Sequence, residues 1–185
     1  MATAPTLSAV SVDEYLNSSY RPDLEYVDGY LVERSWPTYF HSLLQAILIR
    51  YFRQFERDCK FKALPELRTQ IVERTRYRIP DILLCAAPTR INKIMNEIPL
   101  AVVEILSPAD TVSETLQRFR DYAGLGVPHL VQMDPETQVA HRFQDGSLIQ
   151  TKFDTLRFQH FTIPFDSEYL FAELRREIAE SAEAD

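Results

Sequence analysis

The sequence predicts an α/β or α+β fold, a mixed central β-sheet flanked by helices, and three observations carry that prediction. Short alternating or continuously apolar runs are interleaved with stretches of helical period. Asp28-Gly29 and Asp145-Gly146 each sit between alternating segments, the strongest short hairpin signal. Finally, "PLAVVEILSP", bounded by Pro99 and Pro108, is apolar enough for an interior strand covered on both faces.

Taken in order, "SVDEYLNSSY" reads as a helix capped by Ser11, with Glu14 three residues after the cap. "LEYVDGYLVERS" is a hairpin about Asp28-Gly29. From His41 to about Phe55, residues Leu44, Ile47, Leu48, Tyr51, Phe52 and Phe55 fall at three- and four-residue spacings, which predicts an amphipathic helix packed on the sheet. "ELRTQIVERTRYRIPDILLCAAP" reads as two strands joined by a basic turn, and "PLAVVEILSP" as the most buried strand. "SETLQRFRDYAGLG" predicts a helix capped by Ser113 and ended by Gly124 or Gly126, its inward stripe Leu116, Phe119 and Ala123. "VPHLVQMDP" is a further strand and "QVAHRFQDGSLIQTKF" a second hairpin. "DSEYLFAELRREIAESAEAD" predicts a terminal helix running into an acidic tail.

The 185 residues, 45% hydrophobic and 25% charged, suit one domain over 1–185, with a core of about 12–172 and an acidic C-terminal helix and tail over 173–185. A formal charge of −7 means that the average surface repels phosphate, so any nucleic-acid contact must come from a local basic patch or a metal ion. The start "MATAPTLSAVS" lacks the basic and apolar regions of a secretory signal, and no apolar run approaches the roughly 18 residues of a membrane span. A cytoplasmic protein with no membrane partner is expected. Cys59 and Cys85 form no CxxC pair, which excludes a disulfide framework, and Cys85, ending "DILLC", reads as a buried free thiol.

Glu104 is the anomaly in the most buried strand, because a lone carboxylate out of water costs several kcal/mol unless a partner, a proton or a metal ion compensates it. Asp81 follows Pro80 at the start of the preceding strand, where a neighbouring strand could bring it to Glu104. Two carboxylates plus water form a workable Mg²⁺ or Mn²⁺ site. Glu25, on the face of its strand opposite Tyr26, or His41 could complete the cluster. Each has a simpler reading: Asp81 as a turn residue after proline, Glu104 beside an arginine, Glu25 facing solvent, His41 bonded to backbone. No HExxH-like spacing argues for zinc.

The motifs "LEYVDGYLVE" followed by His41, "IPDILL", "VVEILSP" and "YAGLGVPHLVQMDP", in this order over roughly Val12 to Phe171, resemble the Uma family of putative restriction endonucleases in the PD-(D/E)XK nuclease superfamily. The resemblance implies a restriction-endonuclease-like fold, a metal-dependent DNA endonuclease, and a metal site built from Glu25, Asp81 and Glu104. The superfamily's lysine, two residues after the second acid, is Leu106 here. Uma members resemble one another in placing a lysine on the next helix, four residues before a tyrosine and four after an aspartate. Counting back from Tyr122, those positions hold Arg118 and Glu114.

Arginine can bind phosphate oxygens in pairs but cannot serve as a base, because it stays protonated. On spacing alone, Glu114 and Arg118 are an exposed helical pair contributing about 0.2–0.5 kcal/mol. Three readings therefore stand. In the first, Asp81, Glu104 and Glu25 hold Mg²⁺ or Mn²⁺ and Arg118 contacts the scissile phosphate, with a basic lining from "RYFRQFERDCKFK" or "ERTRYR". The second is a degenerate nuclease that binds nucleic acid or protein. The third is a metal-free structural partner in which an arginine such as Arg68 neutralises Glu104. The late hairpin's edge strands and the run "FQHFTIPFDSEYLF" offer a surface for a homodimer, although those aromatics also suit a core beneath the last helix.

Overall fold

The computed structural model describes residues 9–87 and 92–182, so the end of the expected acidic tail, residues 183–185, lies outside the described residues. Among the described residues four helices and twelve strands follow in order: α1 (Val12–Asn17), β1 (Glu25–Val27), β2 (Tyr30–Val32), α2 (Tyr39–Arg53), β3 (Phe61–Pro65), β4 (Thr69–Val72), β5 (Arg76–Arg78), β6 (Ile82–Ala86), β7 (Ala101–Ile105), α3 (Val112–Leu125), β8 (His129–Asp134), β9 (Val139–Gln144), β10 (Ser147–Gln150), β11 (Thr155–Arg157), β12 (Thr162–Pro164) and α4 (Ser167–Ala182). The central sheet has the order β10-β9-β8-β7-β6-β3, and only the β7–β8 pair is parallel, its two strands joined through α3. Smaller sheets have the orders β2-β1-β5-β4 and β11-β12. The expected mixed sheet flanked by helices is the fold observed.

Strand periodicity divides the core between the two faces. Ile82 and Leu84 of β6, Ala101, Val103 and Ile105 of β7, and Val131 and Met133 of β8 pack with Leu44, Leu48 and Phe52 of α2 and Leu170 and Leu174 of α4. The alternate residues Leu83, Cys85, Val102 and Leu130 pack with Phe119 and Tyr122 of α3 on the other face. Covered on both sides, β7 is buried along its whole length. A third cluster seats α1 on the small sheet through Tyr15, Tyr26 and Tyr77.

Local chemistry accounts for most element ends. Ser11 accepts the Glu14 amide at 3.1 Å, as its spacing predicts. Both Asp-Gly hairpins take left-handed backbone at both turn residues, with φ of 52° and 97° at Asp28 and Gly29. The cap of α3 is Thr111 rather than Ser113. Thr111 and Glu114 form a reciprocal capping box, the spacing that Ser113 lacks, and the helix ends on left-handed Gly126.

Two further expectations are corrected, and three strands are added to those expected. The inward stripe of α3 is Thr115, Phe119 and Tyr122, with Leu116 partly buried, while Ala123 faces solvent. That register is turned by Asp121, a buried carboxylate held by two arginines. The stretch read as two strands forms three, β4, β5 and β6, because a turn at Arg74 with φ of 61° folds β4 back on β5. Strand β3 went unread because its short "FKALP" follows a basic helix end, and β11 and β12 because three-residue strands leave too little alternation. Within the late aromatic run, Phe165, Leu170 and Phe171 are core, as the second of the two readings expected.

Candidate functional site

Strands β6 and β7 run antiparallel with Ile82 opposite Val103, and the residues that flank this pair are Asp81, just before β6, and Glu104, within β7. Both side chains lie on the α3 face of the sheet and both residues are at most 5% exposed. Asp81 accepts from the amide of Ile105, the residue after Glu104, and its charge acts on Glu104, so the two carboxylates share a dry site beside the start of β6.

Their surroundings differ. Asp81 Oδ1 accepts from Arg34 Nη2 at 2.5 Å; Oδ2 accepts from the Ile105 amide at 2.7 Å and lies 3.3 Å from His41 Nε2. Burial opposes its charge, but His41, Arg34 and the Ile105 amide outweigh burial and hold the carboxyl below its ordinary value. Glu104 accepts from the Tyr122 hydroxyl through Oε1 at 2.7 Å, and no hydrogen bond from the described residues reaches Oε2. Burial, reinforced by the neighbouring Asp81 charge, pushes Glu104 up to about 8, although Arg118, Arg34 and Tyr122 favour its charged form. One acid is thus held ionised and its neighbour is short of positive charge.

Asp110 completes the rim. Its carboxylate accepts from Arg118 Nη2 at 2.9 Å, from the Ser107 amide at 2.8 Å and from the Ser35 hydroxyl at 2.8 Å. Arg118 remains a cation at any accessible pH: the negative charges of Glu104, Glu25 and Asp110 overcome the burial that opposes it. A small polar cavity opens among Arg34, His41, Asp81, Ser107, Asp110 and Arg118. A larger groove of about 490 Å³ runs along the outer face of α2 beside Pro65 and is lined by Ala46, Ile49, Arg50 and Arg53. With no carboxylate among its lining residues, that groove lacks the chemistry of the polar cavity, although Gln45 at its edge donates to the Asp81 carbonyl at 2.9 Å.

The expected site residues divide into three groups. Asp81, Glu104, Arg118 and His41 come together, with His41 4% exposed and its Nδ1 lacking a hydrogen-bond partner among the described residues. Glu25 is committed elsewhere: it accepts from Arg78 Nη1 at 2.6 Å and from the Ile79 amide at 3.0 Å, and Arg78 also pairs with Asp121 at 2.6 Å. Glu25 reaches the site by charge, acting on Arg118 and Tyr122. Glu114 is spent in the capping box with Thr111 rather than paired with Arg118. Nor does Arg68 neutralise Glu104, since it binds Asp23 at 2.5 Å and stacks on Tyr15 at 4.2 Å.

Sequence reasoning missed Arg34, Ser35, Asp110 and Asp121. Their partners lie 47, 75, 8 and 43 residues away, so only Asp110, eight residues before Arg118, left a trace: a polar turn at the foot of the helix.

The donor set fits a hard divalent cation. Glu104 offers an oxygen without a hydrogen bond in a charge-deficient setting, Asp81 is ionised, and Mg²⁺ commonly binds through one or two carboxylates while keeping water and substrate phosphate as its other ligands. Among the described residues, no group of three or more carboxylate, histidine or cysteine side chains is arranged to hold a cation, and Glu25 does not join Asp81 and Glu104 in one. Among them also, no helix is long and apolar enough to cross a membrane.

The sequence model of the family described as "Uma2: Putative restriction endonuclease" matches residues 12–167. The crystal structure of a putative nuclease belonging to DUF820 from Anabaena variabilis ATCC 29413 superposes with a TM-score of 0.74 at 20% identity, over 89% of this chain and 99% of that one. At that identity the likeness establishes the fold. A cryo-EM structure of a DrdV–DNA complex matches over 74% of this chain and 13% of that one at 14% identity, with a TM-score of 0.38, too low to bear on either fold or chemistry. No curated protein matches.

Proposed function

The chain belongs to the Uma2 family of putative restriction endonucleases, and from that premise we propose that it is a Mg²⁺- or Mn²⁺-dependent endonuclease that hydrolyses DNA phosphodiesters. The observation that carries this reading is the closeness of Asp81 and Glu104, two buried carboxylates beside the β6–β7 pair, one held ionised and the other pushed up to about 8. A divalent cation bound there supplies charge neutralisation and an acidified water. Asp81 and Glu104 hold it; Glu25 acts through its charge and through Arg78. The Tyr122 hydroxyl and the Ile105 amide fix the orientation of the two carboxylates. His41 braces Asp81 from α2, and Arg118, anchored on Asp110, presents a permanent positive charge to the phosphate as negative charge builds on it.

The test is Mn²⁺ calorimetry on wild type, Asp81→Asn and Glu104→Gln, with circular dichroism as the folding control and Mn²⁺-dependent nicking of supercoiled plasmid as the activity. Loss of binding and nicking in both folded variants supports the reading, and wild type that binds no Mn²⁺ sinks it.

A second reading, a degenerate nuclease that binds nucleic acid without cutting it, is favoured by one specific observation. Arg34 and Arg118 already balance Asp81 and Asp110 without any metal ion, and neither arginine can act as a base. Folded wild type that retains plasmid without nicking it would select this reading.

A further inference from the structure

We propose that Arg34 is the site's displaceable phosphate contact, a guanidinium stored on Asp81 that a divalent cation releases toward the substrate. The inference rests on the metal-dependent reading above and adds a residue found in none of the four family-like motifs.

Oxygen accounting on Asp81 comes first. Oδ2 already receives the Ile105 amide and faces His41, while among the described residues Oδ1 receives only Arg34. A cation held by Asp81 and Glu104 would compete with Arg34 for the Asp81 carboxylate, whose Oδ1 is the oxygen with the fewer partners. Arg118 is not released in this way, because its partner Asp110 lies outside the ligand pair and is pinned by the Ser107 amide and the Ser35 hydroxyl.

Arg34 also has somewhere to go. Its side chain is 19% exposed at the cavity rim, and its Nη1 already lies 3.7 Å from Glu66, whose side chain is 54% exposed. It is carried by the irregular segment between β2 and α2, so its guanidinium can swing without breaking a strand. Five N–H donors in a planar fork match phosphate oxygens bidentately. Arg34 and Asp81 line the same cavity, so a phosphodiester drawn there by such a cation would be within reach of the released guanidinium. The chain's single tryptophan, Trp36, stands two residues further along the same segment and is 71% exposed, which makes it a built-in reporter of that movement.

The experiment compares wild type, Arg34→Gln and Arg34→Lys in Mn²⁺ calorimetry, Mn²⁺-induced Trp36 fluorescence change, and binding of a labelled DNA duplex in Ca²⁺ over a salt series. Arg34→Gln is expected to bind Mn²⁺ several-fold more tightly, to lose the fluorescence change, and to bind DNA more weakly with a salt slope reduced by about 1, whereas Arg34→Lys keeps the slope. Unchanged Mn²⁺ affinity in Arg34→Gln overturns the storage role, and tighter Mn²⁺ binding without loss of DNA affinity overturns the phosphate role. If wild type and Arg34→Gln alike bind no Mn²⁺, the metal-dependent reading fails and this inference falls with it.

Discussion

The Tyr122 hydroxyl donates to Glu104 Oε1 at 2.7 Å, tying α3 to the central strand inside the core. Removing that donor leaves a buried carboxylate with less support, and hydrogen bonds to charged groups contribute about 1.5–3 kcal/mol. Tyr122→Phe should therefore destabilise the cation-free protein by roughly that amount in urea titrations above about pH 8, and by less near pH 5, where Glu104 is protonated.

Glu104 should also give stability a characteristic pH dependence. Its folded value of about 8 lies above the ordinary 4.5, so between those values the native state binds more protons than the unfolded chain. Its contribution is complete below 4.5 and is lost as pH rises through about 8. Asp81 has the opposite sign: held below the ordinary 3.8, it stabilises the fold above that value and loses its contribution as pH falls further. Urea midpoints across this range should decline with rising pH in cation-free wild type, and Glu104→Gln should flatten the decline.

Asp121 carries two arginines from the small sheet, Arg76 at 2.8 Å and Arg78 at 2.6 Å. Substituting asparagine leaves the buried Arg78 with only Glu25, and breaking a buried pair costs about 3–5 kcal/mol. Asp121→Asn should lower the melting temperature more than any single substitution among the exposed ion pairs of α4.

The α3 cap separates structure from chemistry. Thr111→Ala should cost about 1 kcal/mol of stability by loss of the cap. Glu114→Gln, which can still close a capping box, should leave stability and Mn²⁺-dependent nicking nearly unchanged. A large loss of nicking at normal stability would give Glu114 a role beyond the cap.

Arg118→Lys restores an ionisable amine at the position where Uma members resemble one another in carrying lysine. Because general-base assistance is worth about 10²–10⁴-fold, nicking should rise at least about tenfold if the rest of the site is competent. No change would mean that the Arg118 charge, rather than a base, is what the position supplies.

The parts of the fold legible in the sequence were those governed by local rules. The face of α2, both Asp-Gly turns and the doubly buried β7 follow from periods of 3.6 and 2 and from turn chemistry. Asp81 and Glu104 were legible because a carboxylate inside an apolar run is itself a signal. Arg34, Asp110 and Asp121 were not, since a charged residue in a loop or on a helix looks solvated until its distant partner is known. Glu114 misled for the same reason in reverse: its spacing to Arg118 suits a helical pair, while the nearer Thr111 claims it.

The parallel pairing of β7 with β8 through α3 also divides the site between two parts of the fold. Glu104 and Tyr122 belong to one crossover unit, whereas Asp81 arrives on β6, from the antiparallel side. Charge repulsion between the two acids is therefore felt only once β6 has docked, and the expectation is that this docking follows formation of the crossover unit. Neutralising one acid should then slow unfolding far more than it speeds refolding, so the ion that the site is proposed to hold would serve as a kinetic latch on the native state.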